Sequence, residues 1–258
     1  MDSMISPDLD MKLHELPYGE GTEFDRNKGC LPQTRLKFLD AIVQWINDPD
    51  PSSPKVLVLF GQAGMGKSSI AHEIAHRYSC MNRLTTSYFF VRGNASGCEP
   101  YRFFTTLARD LCRICPAFKA TLGKLMNEKP ELAHVRNYTT LVESLLRDPL
   151  KDLYFVGPIF IVIDALDEND DASHKRLYAG GNSIPFHAAL LQCVSELPSN
   201  FRILITSRPE AELEKAFLNC RSSADCTWMI LRLQQGWIVI FASIWIRSFA
   251  MFVSGRPI

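Results

Sequence analysis

The sequence carries no excess of charge. Across 258 residues, 28 lysines and arginines stand against 28 aspartates and glutamates. A chain without net charge has no general field to draw it onto a nucleic acid backbone or an acidic membrane surface, so nucleic acid is not an expected partner. A disulfide framework is missing as well. Eight cysteines (Cys30, Cys80, Cys98, Cys112, Cys115, Cys193, Cys220 and Cys226) are scattered without regular spacing. The polar, acidic opening Met1–Asp10 holds no apolar signal core. These features predict free thiols in a reducing, cytoplasmic setting. Cys112 and Cys115 form a C-x-x-C pair. With no second pair and no histidine cluster, the spacing favours thiols packed on a helix over a metal or redox centre. There is no internal repeat and no long low-complexity tract, which excludes a solenoid.

What is present is an ordinary globular composition, 47% hydrophobic and 22% charged, long enough for one or two domains with a buried core. The chain is organised around residues 56–69. The apolar run Val56–Phe60 ends on Gly61. Gln62, Ala63, Gly64 and Met65 follow, and Gly66-Lys67-Ser68-Ser69 opens a helical pattern through Ile70, Ile74 and Ala75. This is strand, then G-x-x-x-x-G-K-S, then helix, the pattern of a phosphate-binding loop. Glycines let the backbone approach an anion where a Cβ would collide, and the amides they free form an anion nest. The helix start adds the positive end of its dipole. Lys67 is placed to reach the β- and γ-phosphates of a nucleotide, and the Ser68 hydroxyl to ligate Mg²⁺.

A phosphate loop needs a metal-holding carboxylate. The wholly apolar run Ile159–Ile163 predicts a buried parallel strand, and Asp164 stands at its carboxyl end, where open α/β sheets bind ligands. Asp164 is the expected second Mg²⁺ ligand. Glu168 is the candidate to orient or deprotonate an attacking water, with Asp167 assisting at the metal. A further strand over Arg202–Thr206 leads into Ser207-Arg208, and Arg208 can face a γ-phosphate or pair with the Asp167/Glu168 acids. ATP is the expected nucleotide, GTP less so.

Elsewhere the patterns predict a flexible arm over residues 1–29, and a helix opened by Pro32 that carries Leu36, Leu39, Ile42, Val43 and Ile46. They also predict a strand over 87–91 and helices from Tyr101 and from Pro116. Another helix is expected to stop before Pro149. A loop over 170–183, helices over 184–196 and 211–218, and a fifth strand over Thr227–Leu233 complete the order. The main domain is expected at 30–233, with a tail from 234 to 258. Within it, residues 236–255 are apolar and about 20 residues long, the length of a membrane span, yet Arg247 near the centre costs about 3 kcal/mol there. A membrane span, a packed hydrophobic helix and a stretch without a stable fold all remain open.

The segments GQAGMGKSS, FIVIDALDE and RILITSRPE, in that order, resemble the NACHT-type STAND ATPases. The likeness is nearest to the nephrocystin-like N-terminal domain of fungal NLR-like proteins. Lys28 to Arg35 and Trp45 resemble the same group, and the likeness covers about residues 24–233. It implies an α/β fold, a P-loop NTPase three-layer sandwich with a central parallel sheet and helices on both faces. An extra strand is then expected between the phosphate-loop strand and the metal-binding strand. It also implies that Gly61–Ser69 form the Walker A loop, that Asp164, Asp167 and Glu168 fall in the Walker B motif, and that Arg208 is the sensor arginine. Thr34 and Arg35 then fall in the segment that often borders the base. The implied function is a Mg-ATP-dependent signalling switch with slow hydrolysis, which self-associates or meets NLR-type signalling partners. A small-molecule kinase and a non-catalytic module tethered to a membrane by its tail are the competing classes. In that family a small helical domain, a winged helix and a repeat array normally follow.

Overall fold

The computed structural model describes residues 7–91, 99–155, 157–169, 184–219, 228–234 and 237–241. In chain order the helices are α1 (Pro7–Glu15), α2 (Leu36–Ile46), α3 (Lys67–Cys80), α4 (Tyr101–Ile114), α5 (Pro116–Glu128), α6 (Tyr138–Leu141), α7 (Asp148–Leu150), α8 (Phe186–Glu196) and α9 (Ala211–Asn219). The strands are β1 (Val56–Gly61), β2 (Leu84–Phe89), β3 (Ile159–Asp164), β4 (Phe201–Ser207), β5 (Trp228–Gln234) and β6 (Trp237–Phe241). The chain divides into two compact units.

The first unit comprises Thr22–Val91, Gly157–Glu168 and Ser199–Ile258 and carries the sheet, in the order β2-β3-β4-β1-β5-β6. The first five strands run parallel, and β6 pairs antiparallel with β5. Strand β4 lies between β1 and β3, which is where the extra strand was expected. Strands β1, β3 and β4 are buried at every position. Water is excluded from both their faces, which is why they read as unbroken apolar runs rather than alternating ones. On one face α2 and α3 bring Leu39, Ile42, Trp45, Ile70, Ile74 and Tyr78 against Leu57, Leu59, Phe160, Val162 and Leu204. On the other face Phe217 of α9 meets Phe60 edge-on, ring centres 6.2 Å apart. This is the three-layer α/β sandwich of the P-loop NTPase type. Trp45 is fully buried and gives its indole N–H to the Pro54 carbonyl at 2.7 Å. Truncating such a side chain costs about 3–5 kcal/mol.

Three sequence expectations shift here. Helix α2 starts at Leu36, not at Pro32. Pro32 lies in a turn closed by the Thr34 N–H on the Leu31 carbonyl, and Gln33 and Arg35 take left-handed backbone conformations that interrupt any helix. Strand β2 runs over 84–89 rather than 87–91. Three hydroxyl side chains among its first four residues, Leu84-Thr85-Thr86-Ser87, hide it from a hydrophobicity reading, and the strand ends at Phe89, although the Phe90 N–H still donates to the Asp164 carbonyl at 3.1 Å. The tail is not helical where it begins: Trp237–Phe241 form β6. Among the described residues no helix is long and apolar enough to cross a membrane, and the rest of the tail lies outside them. So does the expected loop over 170–183.

The second unit comprises Met1–Gly21, Arg92–Val156 and Asn169–Pro198 and is helical in its described residues. Phe104, Tyr138 and Phe186 pack edge-on or tilted at its centre, with ring centres 5.6–6.0 Å apart. The expected flexible arm is ordered from Pro7, where α1 begins, and Leu13 and Leu16 are buried. Two leucines are too few for a helical period to be read. The fastening is long-range: Gly19 N–H donates to Thr106 Oγ1 at 2.9 Å, and the Tyr18 hydroxyl to Asp110 at 3.1 Å. Burial and the Asp110 charge push the Tyr18 phenol up to about 12. Cys112 is buried on α4, and the Cys115 sulfur caps α5 by accepting the Phe118 N–H, as the packing reading of the C-x-x-C pair expected. The helix expected to stop before Pro149 instead widens into a π turn, Val142–Arg147, and continues into α7. Pro149 stands in α7 directly after the π turn.

Candidate functional site

At the carboxyl end of β1 the chain turns through residues 61–66 into α3. Gly61 passes close to β5, where an added Cβ would lie 3.1 Å from Leu233 Cβ. Gly64 and Gly66 have φ of +78° and +80°, conformations that cost an L-residue about 1–2 kcal/mol. Gln62, Ala63 and Gly64 are exposed at the turn, and Met65 packs against the apolar core beside α2 and α3. Lys67 is the first residue of α3 and is buried. Its ammonium arcs back to donate to the Gly61 carbonyl at 2.7 Å and the Gln62 carbonyl at 3.1 Å. Burial lowers the Lys67 pKa, opposed by the Asp167 and Asp164 carboxylates. Ser68 is exposed and Ser69 half-buried.

Asp164 ends β3 and is buried. Its carboxylate accepts a hydrogen bond from Thr206 Oγ1, at 2.5 Å, and has the Ser68 side chain beside it. Burial raises its pKa, and Thr206, Ser68 and the Lys67 charge pull the other way. The register explains the meeting. Ile163 pairs with Ile205 across β3 and β4, and Leu59 with Thr206 across β4 and β1. Asp164, Thr206 and Gly61 therefore finish at one rim of the sheet. Ala165 then takes a left-handed conformation (φ +54°), and its N–H also donates to Thr206 Oγ1, at 3.0 Å. A short turn, Leu166–Glu168, follows.

That turn presents two acids to the end of β4. Asp167 Oδ1 accepts from the Arg208 backbone N–H at 2.8 Å and from Ser207 Oγ at 3.3 Å. Its Oδ2 lies 3.2 Å from Arg208 Nε. Glu168 Oε1 is 3.6 Å from Arg208 Nη2. The Asp167 side chain is 3% exposed, against 24% for Glu168 and 43% for Arg208. Asp167 thus holds the chain at Arg208, while Glu168 is the acid with access to solvent.

The residues singled out in the sequence, Gly61–Ser69, Asp164, Asp167, Glu168 and Arg208, gather at one rim of one sheet. Two contacts escaped the sequence reading, although Arg35 was expected in the segment that often borders the base. Thr206, a lone hydroxyl ending an apolar strand, ties Asp164 to Ala165. Arg35 donates from Nη2 to the Met65 carbonyl at 2.6 Å, a contact across thirty positions that no local pattern announces. A hydroxyl and a carboxylate at the same rim, Ser68 and Asp164, form a hard-oxygen pair of the kind Mg²⁺ takes. The glycine-lined turn in front of Lys67 is of the kind that takes a polyphosphate.

The model of the family described as nephrocystin 3, N-terminal, matches residues 34–208, a span that runs from Thr34 through the loop and the acids to Arg208. No curated protein matches the chain. Among solved structures, the structure of C. elegans PCH-2 aligns with 15% sequence identity and a TM-score of 0.34, over 88% of this chain and 47% of that one. The chain thus spans about half the length of that protein.

Proposed function

The chain belongs to the nephrocystin 3 N-terminal family, and from that premise we propose that it is a nucleotide-binding domain that takes Mg-ATP and hydrolyses it slowly as a cytoplasmic signalling switch of the NACHT/STAND type. The observation that carries this reading is the meeting of Lys67, Ser68 and Asp164 at one rim. The hydroxyl lies beside the carboxylate, and the Asp167 and Asp164 charges oppose the lowering of the Lys67 pKa by burial. In this reading the amides of Gly61–Ser69 and the Lys67 ammonium hold the phosphates. Ser68 and Asp164 would hold Mg²⁺, which when bound neutralises charge developing on the phosphate oxygens. Glu168 orients a water and accepts its proton, and Arg208 faces the γ-phosphate. Self-association or an NLR-type signalling partner would read the bound state.

Calorimetry on the full chain with ATP and ADP, with and without Mg²⁺, tests the reading. Lys67→Ala should weaken ATP binding on the order of 100-fold, because it removes the charge-assisted contact to the phosphates. Equal binding by the variant and the natural chain would sink the proposal. Glu168→Gln should keep binding and lose turnover.

A second reading, a nucleotide-binding interaction module without turnover, draws on the ion pairs of Arg208 with Asp167 and Glu168. A carboxylate held by a guanidinium is not free to orient a water. Binding without release of phosphate in the natural chain would favour it.

A further inference from the structure

Residues 31–36 follow an unfavourable path. Gln33 and Arg35 both have left-handed backbones, φ +62° and +56°, which crowd Cβ against the carbonyl of an L-residue. Such strain persists only where the surroundings hold it, and it gathers at functional sites. Arg35 occupies the N-cap position of α2 and makes no side-chain cap there. Its carbonyl accepts from the Phe38 and Leu39 amides, both at 3.0 Å. Thr34, a good capping residue by type, instead donates its hydroxyl to the Leu31 carbonyl at 2.6 Å. What the path achieves is reach. The guanidinium of Arg35 projects from the start of α2 to the phosphate loop, where Nη2 donates to the Met65 carbonyl at 2.6 Å. A Cβ at Gly66 would lie 2.8 Å from Nη2 and 3.2 Å from Cζ. The guanidinium therefore rests against Gly66, and Gly66 is required both by its φ and by this neighbour.

The peptide between Met65 and Gly66 is trans, so its carbonyl and its N–H point in opposite directions. A donor that holds the Met65 carbonyl on the Arg35 side therefore turns the Gly66 N–H away from Arg35. The next peptide is held as well, because the Gly66 carbonyl accepts from the Ile70 N–H at 3.1 Å. We infer that Arg35 is a positioning residue of the anion site. Acting through the Met65 carbonyl, it sets the Met65–Gly66 peptide so that the Gly66 amide faces the phosphates of a nucleoside di- or triphosphate. The inference rests on the nucleotide-binding reading above. It goes beyond that reading by assigning the loop's geometry to a side chain outside the loop.

The test compares Arg35→Ala and Arg35→Lys with the natural chain and Lys67→Ala, using Mg-ADP calorimetry, thermal melting of the free proteins and the Gly66 backbone amide resonance. Arg35→Ala should weaken ADP binding about tenfold, the scale of one lost charge-assisted hydrogen bond. It should also shift the Gly66 amide resonance of the free protein and leave the melting temperature within about two degrees of the natural value, since an exposed side chain contributes little to global stability. Arg35→Lys keeps a cationic donor and should restore most of the affinity. If the Ala variant binds ADP like the natural chain, or if its lost affinity comes with an unmoved Gly66 amide, the positioning role is wrong. If the natural chain itself binds no better than Lys67→Ala, the nucleotide reading fails and takes this inference with it.

Discussion

Arg202 and Arg208 lie on the same strand segment and are held in opposite ways. Arg202, near the start of β4, is 3% exposed, and its guanidinium donates to the backbone carbonyls of Ser199, Phe201 and Asp48 at 2.8–3.0 Å. Burial lowers its pKa, against the pull of Asp48 and Asp50. It borders a cavity of about 250 Å³ with Ile46, Pro49 and Pro158. Arg208, just past the other end of the strand, is 43% exposed and held by the carboxylates of Asp167 and Glu168. Neutral carbonyls fixed in the backbone make Arg202 a brace between the start of β4 and the chain after α2. Carboxylates on a short turn, with Arg208 itself partly exposed, make Arg208 a group whose partners an incoming phosphate can replace, because an anion competes for the same charge. The two ends of one strand thus divide the work: one end is held firm, and the other is held exchangeably.

The comparison can be broken most directly at the buried end. Arg202→Ala strips donors from three carbonyls, and hydrogen bonds to charged groups contribute about 1.5–3 kcal/mol each without adding fully. The expected loss is about 3 kcal/mol in urea unfolding, with nucleotide affinity unchanged. A loss under about 1 kcal/mol would remove the distinction between the two arginines.

His72 offers a test of similar size by another route. It is buried on α3, stacked on Phe89 with ring centres 4.1 Å apart, and its Nδ1 accepts the Asp25 N–H at 3.0 Å. Burial, with the Lys28 charge added, lowers its pKa to about 4. Between about pH 6.5 and 4 the unfolded chain therefore binds a proton that the folded chain refuses. Stability is fully present above the unfolded value and is lost as the pH falls through 4, by about 3 kcal/mol in all. Urea unfolding of the natural chain should follow that slope more steeply than His72→Gln. Parallel slopes would show that His72 is not held neutral.

The smallest stability effect belongs to the exposed end. Arg208→Ala should cost less than about 1 kcal/mol, because a partly exposed ion pair is screened by solvent, and Glu168→Gln should cost no more. The readout that matters there is the preference for ATP over ADP, which the Ala variant should lose. If Arg208→Ala unfolds the protein as readily as Arg202→Ala, the exchangeable end is a brace too.

Much of the candidate site could be read in the chain because its parts are local. G-x-x-x-x-G-K-S is contiguous, and Asp164 follows directly on five apolar residues. The Thr206-Ser207-Arg208 ending is equally plain, although Thr206 drew no role until its hydroxyl was seen between Asp164 and Ala165. Strand β2 was misplaced because its threonines pack as β-branched residues while counting as polar. The opening segment read as an arm because Leu16 and Tyr18 find their partners on a helix some ninety positions away. The start of α2 was misread because Pro32 is a good first-turn residue wherever the backbone permits a helix, and two left-handed residues forbid one here. Trp237–Phe241 suits a strand or an apolar helix by composition, and pairing with β5 decides between them.

Taken alone, the order of residues determined the apolar strands, the glycine turn and the chemistry ending each strand, because these follow from neighbours in the chain. Only the tertiary structure decided which ends stand together. Inserting β4 between β3 and β1 brings Thr206 to Asp164 and Arg208 to Asp167, and the strained path at Arg35 carries a cation onto Met65. Such contacts depend on strand order, register and backbone sign, which are set by the packing of the whole sheet and not by any one segment.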